Sequence, residues 1–528
     1  MYDYVIVGAG SAGCVLANRL TEDAKTTVLL LEAGEPDRMK AIHIPAAFSK
    51  LLKTQYDWAY YTEKQPHLNN RELYWPRGKV LGGSSSLNAM IYIRGNRYDY
   101  DRWHKLGNEG WSFSEVLPYF KKAENQERGA SEYYGRGGPL NIADLRYINP
   151  LSRAFVDACV EVGLPQNRDF NGVQQDGAGF YQVTQKNGTR HSTATAYLKP
   201  ILHRSNLTIQ TNAQVIRIHF EGTRVRGLTY LQKGKTYPIE IAKEVILSSG
   251  AVNSPQLLML SGIGSAEHLN ALGIPVVVDL PGVGQNLQDH LAVPVLYECT
   301  KPISLANART TQNLLNYLLF RKGPLTSNVG EAGGFIKTTP DLFAPNLQLL
   351  FAPVYYVDHG FTQPEGHGFT IGATLLHPKS NGSITLRSSN PLESPMIQPN
   401  YLASDADLKI LVEGVKLARQ IARARAFDSV RGEELHPSSK VQQDEEIGAF
   451  IRNKAETLYH PVGTCKMGND LMSVVNDQLE VYGVQGLRVV DASIMPFIVG
   501  GNTNAPTIAI AEKAADLIKS DSGSKWGQ

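Results

Sequence analysis

The sequence is poor in the features that mark secreted, metal-stapled, membrane-spanning or nucleic-acid-binding proteins. Its 528 residues hold four cysteines, Cys14, Cys159, Cys299 and Cys465, with no C-x-x-C pair, which argues against a disulfide framework and against a zinc site. No metal ligand set is expected, and a reducing, cytoplasmic compartment fits. No apolar run approaches the ~18 residues that span a bilayer. The first strand pattern begins at about residue 3, so no secretory leader is expected; peripheral attachment to a membrane stays open. A formal net charge of +2 with 19% charged residues provides no global field to gather nucleic acid, and the default partner is a small neutral molecule. Internal repeats and low-complexity blocks are missing as well.

What the chain does have is glycine in particular places. The apolar run Tyr4-Val5-Ile6-Val7 drops into Gly8-x-Gly10-x-x-Gly13, and a helical pattern follows through Leu20. A strand feeding a glycine turn lets backbone N–H groups and a helix N-terminus face a pyrophosphate with no side chain in the way. A second apolar run, Val28 to Leu31, ends in Glu32, near the ~20-residue offset at which an acid meets a ribose. Strand, turn, helix, strand and acid in this order predict dinucleotide binding, with Ser11, Ala12 and Ala33 beside the ligand. The loop does not say which dinucleotide; a nicotinamide dehydrogenase is compatible with it.

At 42% hydrophobic content and 528 residues the chain exceeds the ~250 residues at which one core stops growing, so two or more domains follow. Glu244 to Ser248 reads as a strand entering the small-residue turn Ser249-Gly250-Ala251, with a helix over Ser254 to Leu260. Leu487 to Val490 reads as a buried strand with Asp491 at its carboxyl end, where ligands of open α/β sheets gather. Between about 299 and 454 the texture changes to short strand-like runs, Leu347 to Phe351, Phe369 to Leu376 and Ser383 to Leu386, punctuated by Gly, Pro, Asn and Ser. They predict an antiparallel sheet inserted into a nucleotide-binding domain. Asp405 to Ala424 has the spacing of a surface helix, and the polar tail after Lys519 is expected to be disordered.

The densest glycine and serine cluster is Arg77-Gly78-Lys79-Val80-Leu81-Gly82-Gly83-Ser84-Ser85-Ser86-Leu87-Asn88, which reads as a backbone nest pressed against a flat ring system. This run, with Gly250-Ala251-x-x-Ser254-Pro255 through Gly264, resembles the two signature motifs of the glucose-methanol-choline (GMC) flavoprotein oxidoreductases. Gly284-x-Asn286-Leu287-x-Asp289-His290, Tyr459-His460-Pro461-Val462-Gly463-Thr464 and Leu487 to Pro506 extend the resemblance over nearly the whole chain in order. It implies an α/β architecture: a Rossmann-like FAD-binding domain (1–156, 196–298 and 455–520) with an inserted α+β substrate domain on an antiparallel sheet (157–195 and 299–454), then a disordered tail (521–528). The cofactor implied is FAD, held at Gly8 to Gly13, Glu32, Ala33, Gly82, Gly83, Ser84, Asn88, Ala89, Met90, Ile91, Val215, Gly250, Asp491, Ala492, Asn502 and Thr503. Some family members attach FAD through a histidine near the Gly82 loop; Leu87 stands there, and non-covalent FAD is expected.

Pro461 biases His460 toward extended backbone, and an imidazole can take an alcohol proton near neutral pH. In the family the matching histidine lies beside the flavin, so His460 is the expected base. Asn504, 44 residues on, matches the second active-site residue of the family; an amide orients a hydroxyl but is no base. Asn504 also opens a helix whose positive end can stabilise an anionic reduced flavin. His290 reads as structural.

For the substrate, Tyr297-Glu298-Cys299 resembles the choline-oxidising branch, and Trp58 and Tyr459 could offer faces to a cation. Asn328-Val329-Gly330-Glu331, however, lacks the tryptophan of some choline enzymes. Gly323 to Asn328 resembles the dehydrogenases of aliphatic alcohols, so a neutral primary alcohol is preferred, oxidised to an aldehyde. Choline oxidation, and a non-redox hydroxynitrile lyase on the same fold, are the alternatives. The electron acceptor is oxygen or a quinone-like carrier.

Overall fold

The computed structural model describes residues 1–362 and 364–525. In chain order, the strands of its two large sheets are β1 (Tyr2–Val7), β2 (Val28–Leu31), β3 (Gly177–Phe180), β4 (Leu207–Gln210), β5 (Gln214–Glu221), β6 (Arg224–Gln232), β7 (Lys235–Leu247), β8 (Leu291–Cys299), β9 (Ala332–Ile336), β10 (Leu347–Ala352), β11 (Gly368–Leu375), β12 (Arg431–His436), β13 (Glu456–Thr457) and β14 (Leu487–Val489). The helices that matter for the site are α1 (Ser11–Leu20), α2 (Pro150–Glu161), α3 (Gly250–Leu260), α4 (Thr311–Phe320), α5 (Asp405–Ala422) and α6 (Asn504–Lys525).

The first sheet has a parallel centre, β4-β2-β1-β7-β14. Val28 to Leu31 are all buried, as strands covered on both faces require. Strand β7 changes character along its length: Glu244 to Leu247 are buried and parallel to β1, whereas Lys235 to Glu240 are exposed, Ile239 alone half-buried, and antiparallel to β6. Its sequence shows the switch, from the mixed Lys-Thr-Tyr-Pro to the apolar Val-Ile-Leu. Helices α1 and α6 pack together across this sheet, and Arg19 of α1 pairs with the buried Glu512 of α6 at 2.7 Å.

The second sheet is antiparallel, in the order β12-β8-β11-β10-β9-β3, with β13 on β8. Its period-2 alternation sorts two faces. Val293 and Val295, Leu349 and Phe351, and Phe369 and Ile371 enter a core closed by α2 and α5. Ala292, Pro294, Leu350, Ala352, Thr370 and Gly372 lie in the alternate positions and line a cavity between the two sheets.

An α/β nucleotide-binding unit with an inserted antiparallel sheet is therefore what the chain forms. Two boundaries move. Strand β8, assigned by sequence to the cofactor side up to residue 298, is a central strand of the second sheet, because its apolar alternation suits a one-sided core. The tail expected to be disordered continues α6 through Lys525; Asp521 accepts from Arg488, and Lys519 meets Glu22 at 2.8 Å. Residues 526–528 lie outside the described residues.

Candidate active site

One large cavity runs from the first glycine loop to His460. At its near end β1 stops at Val7, and Gly8 adopts φ +96°, where a Cβ would sit 2.6 Å from the Ser248 carbonyl oxygen. Helix α1 begins with no capping side chain and no acid in its first turn, leaving its N–H groups and positive end to a ligand. The Gly82 loop docks on this turn. Gly82 N–H donates to the Ala9 carbonyl at 2.8 Å, and Gly83, at φ +52°, comes so near that its Cβ would lie 2.7 Å from Gly10 Cα. Arg190, buried without a carboxylate partner among the described residues and pushed by that burial to a pKa of about 9, donates to the Ser85 carbonyl and to Asn88 Oδ1. Ser248 Oγ, buried and without a hydrogen-bond partner among the described residues, also lies on the wall. Glycine backbone, free helix N-termini and an unpaired hydroxyl fit a dinucleotide pyrophosphate.

Glu32 accepts from Ala9 N–H at 2.9 Å and Gly34 N–H at 2.8 Å, and burial pushes its pKa up to about 7. Asp491 ties β14 to α3: its Oδ2 accepts from Gly250 N–H and Ser254 Oγ, its Oδ1 from Ser493 N–H. Both carboxylates face the cavity while bracing its walls.

At the far end, His460 follows Tyr459, which is held at φ +69°, a conformation costly for an aromatic residue. Arg77 donates to the Tyr459 carbonyl, and the Tyr459 hydroxyl lies 2.6 Å from His359 Nδ1. Asp289 takes the His460 N–H at 2.7 Å and also accepts from Thr457 and Tyr401; burial pushes its pKa up to about 6 against these hydrogen bonds. The imidazole orientation is set from behind. His290 Nε2 lies 3.0 Å from the Leu376 carbonyl oxygen, which can only accept, so this nitrogen carries the proton. His290 Nδ1 is then an acceptor, and its neighbour at 2.9 Å, His460 Nδ1, is the donor. The lone pair of His460 is left on Nε2, on the side of the Asn502 amide nitrogen at 3.3 Å. Burial holds His290 neutral, with a pKa of about 3. Burial, His290 and Arg77 together hold His460 well below the ordinary histidine value.

The structure relocates several expected residues. All of those named for cofactor or substrate line the cavity except Gly13, Gly82 and Glu298. Gly13 supports the turn from behind, where a Cβ would lie 1.9 Å from the Gly8 oxygen; Gly82 acts through its N–H. Glu298 occupies the cavity face of β8 by parity, but four residues past Pro294, or roughly 13 Å along a strand; Leu296 with Tyr355 and Val357 closes the space between. Among the described residues no hydrogen bond joins Asn504 to His460. Asn504 Oδ1 accepts from Ser11 Oγ at 2.7 Å, joining the two helix N-termini, and the amide beside His460 belongs to Asn502. A helix start turns successive side chains apart, so two residues of spacing separate the amide that meets Ser11 from the amide that meets His460.

Sequence reasoning named His290 only as structural and missed Arg190, Tyr356 and Glu456. Glu456 lines the cavity across from Ala292, and burial pushes its pKa up to about 7. His290 was visible inside the Asp289-His290 motif, but its partner is 170 residues away. Trp58 does line the cavity, stacked on Tyr60, yet Lys79 Nζ already lies 4.4 Å from its ring centre.

The whole chain has counterparts. Family models described as GMC oxidoreductase match residues 2–292 and 378–511. The chain is 49% identical over 527 residues to an alcohol dehydrogenase (acceptor) of Pseudomonas putida, covering 98% of this chain and 96% of that one. It is 49% identical over 532 residues to the mitochondrial choline dehydrogenase of Mus musculus, covering 98% and 89%. Among solved structures, pyridoxine 4-oxidase from Mesorbium loti superposes with a TM-score of 0.91 at 34% identity, covering 98% and 99%. A formate oxidase of Aspergillus oryzae RIB40 superposes at 0.93 with 29% identity, covering 98% of each chain. The glycine-built dinucleotide cavity, the histidine at its far end and these matches make one statement: the chain belongs to the GMC oxidoreductase family, as an FAD-dependent oxidoreductase acting on CH–OH groups.

Proposed function

We propose that this enzyme oxidises a neutral primary alcohol to the aldehyde, with His460 Nε2 as the base and FAD bound non-covalently. Bound FAD supplies the hydride acceptor. The single observation that carries the reading is the contact of His460 Nδ1 with His290 Nδ1 at 2.9 Å, with His290 Nε2 on the Leu376 carbonyl, an arrangement that leaves the proton-accepting lone pair of His460 on Nε2. The alcohol hydroxyl gives its proton to Nε2 as the C=O bond forms, and the imidazolium keeps its Nδ1–H on His290. The Asn502 amide orients the hydroxyl without competing for the proton. The N-terminus of α6, at Asn504, lies on the same wall and favours negative charge that develops there. Leu87 lines the cavity and has no nucleophilic atom to attach a flavin.

The wall around His460 supports a neutral substrate. Phe48, Leu52, Val329, Leu350 and Tyr356 are apolar or aromatic, the Trp58 face is shared with Lys79, and Glu456, near pKa 7, is no fixed anion. A dehydrogenase that passes electrons to a carrier other than oxygen is the further part of the proposal, supported by what the Pseudomonas relative is called. The test is anaerobic: the flavin absorbance should bleach with aliphatic primary alcohols and not with choline, and admitting air should yield little peroxide. Bleaching by choline alone would move the assignment to the quaternary-ammonium branch. No bleaching with any alcohol, together with cyanide release from mandelonitrile, would replace oxidation by lyase chemistry.

A further inference from the structure

Helix α4 is built inside out. Leu314, Leu315, Leu318 and Leu319 fall within an arc of roughly 140° on a helix of 100° per residue, and they point to solvent with exposures of 44, 52, 55 and 69%. Phe320, at 63%, extends the patch at the C-terminal end. The opposite side, Asn313, Asn316 and Tyr317, faces the protein. Tyr317 is buried, and its hydroxyl donates to the His43 carbonyl at 3.3 Å. A stable fold normally turns leucine inward and asparagine outward, and an apolar patch of this size marks an interaction surface.

The charge around it has one sign. No Asp or Glu occurs from Cys299 to Gly330, a stretch that carries Arg321 and Lys322 directly after α4. The segment α4 rests on is also free of acids: from Arg38 to Tyr56 there is none, while Arg38, Lys40 and Lys50 are exposed. The turn Pro45–Leu51 packs on Pro324–Thr326, which in turn packs on α4. Phe48 of the first segment, with Leu52 and Val329 just beyond the two, lines the cavity wall. In a chain of net charge +2, this is a local concentration of cations around an exposed leucine face.

We infer that α4 docks on the surface of an anionic lipid bilayer, its leucines entering the acyl boundary while Lys322 and Lys50 meet the headgroups and Arg321, half-buried over the Tyr317 ring, adds positive charge behind them. Ten residues are about 15 Å of helix, too short to span a bilayer but suited to lying in its interface. A second copy of the chain is the weaker occupant: a two-fold contact would set this basic rim against itself, with no carboxylate in either segment to pair it.

The test uses the full-length FAD-loaded protein, sedimented with vesicles of phosphatidylcholine alone or with roughly a third phosphatidylglycerol. Binding is expected to the anionic vesicles and to weaken in high salt. Leu315→Ser/Leu318→Ser and, at low salt, Arg321→Glu/Lys322→Glu should each lower binding about tenfold. Leu392→Ser, on an exposed leucine elsewhere, should leave it unchanged. Reduction of the flavin by a short alcohol, followed in the same samples, reports folding and keeps the active-site reading separate. The inference is overturned if the parent binds neither vesicle or if the leucine variants bind as well as the parent. It is equally overturned if the parent is a dimer that these substitutions convert to monomers.

Discussion

The Nδ1 atoms of His290 and His460 face each other at 2.9 Å, and because His290 Nε2 is committed to the Leu376 carbonyl, the direction of the hydrogen bond between them is decided. His290 touches no reactant in this arrangement; it is a positioning residue that selects which nitrogen of His460 is the base. His290→Ala should lower the rate of flavin reduction by about 10²–10³, within the range for general-base catalysis, with little change in alcohol affinity. Exogenous imidazole should restore part of the rate. Equal loss of rate and of FAD content would assign His290 a structural role instead.

His460→Ala should lower the reduction rate by about 10²–10⁴ and leave the protein yellow. The visible spectrum checks retention and stopped-flow mixing checks the rate; intact turnover would remove His460 from the mechanism.

Asn502 and Asn504 should separate cleanly. Asn502→Ala removes the amide beside His460 Nε2 and should cut alcohol turnover by about tenfold or more, with FAD retained. Asn504→Ala breaks the 2.7 Å contact with Ser11 and should weaken FAD binding by up to about tenfold, leaving the FAD-saturated rate near that of the parent. The reverse pattern would restore Asn504 as the residue that serves the substrate.

The pH profile follows from the direction of the His460 shift. A base whose pKa is depressed by burial, by His290 and by Arg77 is in its accepting form at neutral pH and is lost only as pH falls through the depressed value. The reduction rate should therefore stay flat from pH ~8 down to pH ~6.5, where a free imidazole is already half protonated. A half-loss at or above that point contradicts the buried, neutral base.

Gly83→Ala should be far costlier than Gly137→Ala. Both have positive φ, worth about 1–2 kcal/mol, but a Cβ at Gly83 would also meet Gly10 Cα at 2.7 Å, whereas nothing lies within 4 Å at Gly137. Overpacking adds roughly another 1–3 kcal/mol. Thermal unfolding and FAD content measured on the two variants check the difference.

Local patterns were legible wherever one stretch of chain makes its own ligand contacts. The Gly8 turn, the Gly82 loop, the end of β14 and the His460-Pro461 extension all lie on the cavity at the positions the sequence marks. Three things were not legible. Glu298 looked right because parity puts it on the correct face of β8, but parity carries no information on distance along the strand. That Asn504 meets Ser11 while Asn502 meets His460 was hidden because spacing in sequence does not resolve how a chain turns as it enters a helix. His290 looked inert because nothing local shows that a ring 170 residues downstream will meet it.

By itself, then, the sequence determined the cofactor class, the two kinds of sheet and a histidine on the wall of the cavity, since glycine spacing, hydrophobic period and an imidazole after an extended turn are short-range properties. Tertiary structure alone decided which nitrogen of His460 is free, which asparagine accompanies it, and that the leucines of α4 face outward. Each of these depends on a partner brought near by folding, or left absent by it, and a linear chain records neither.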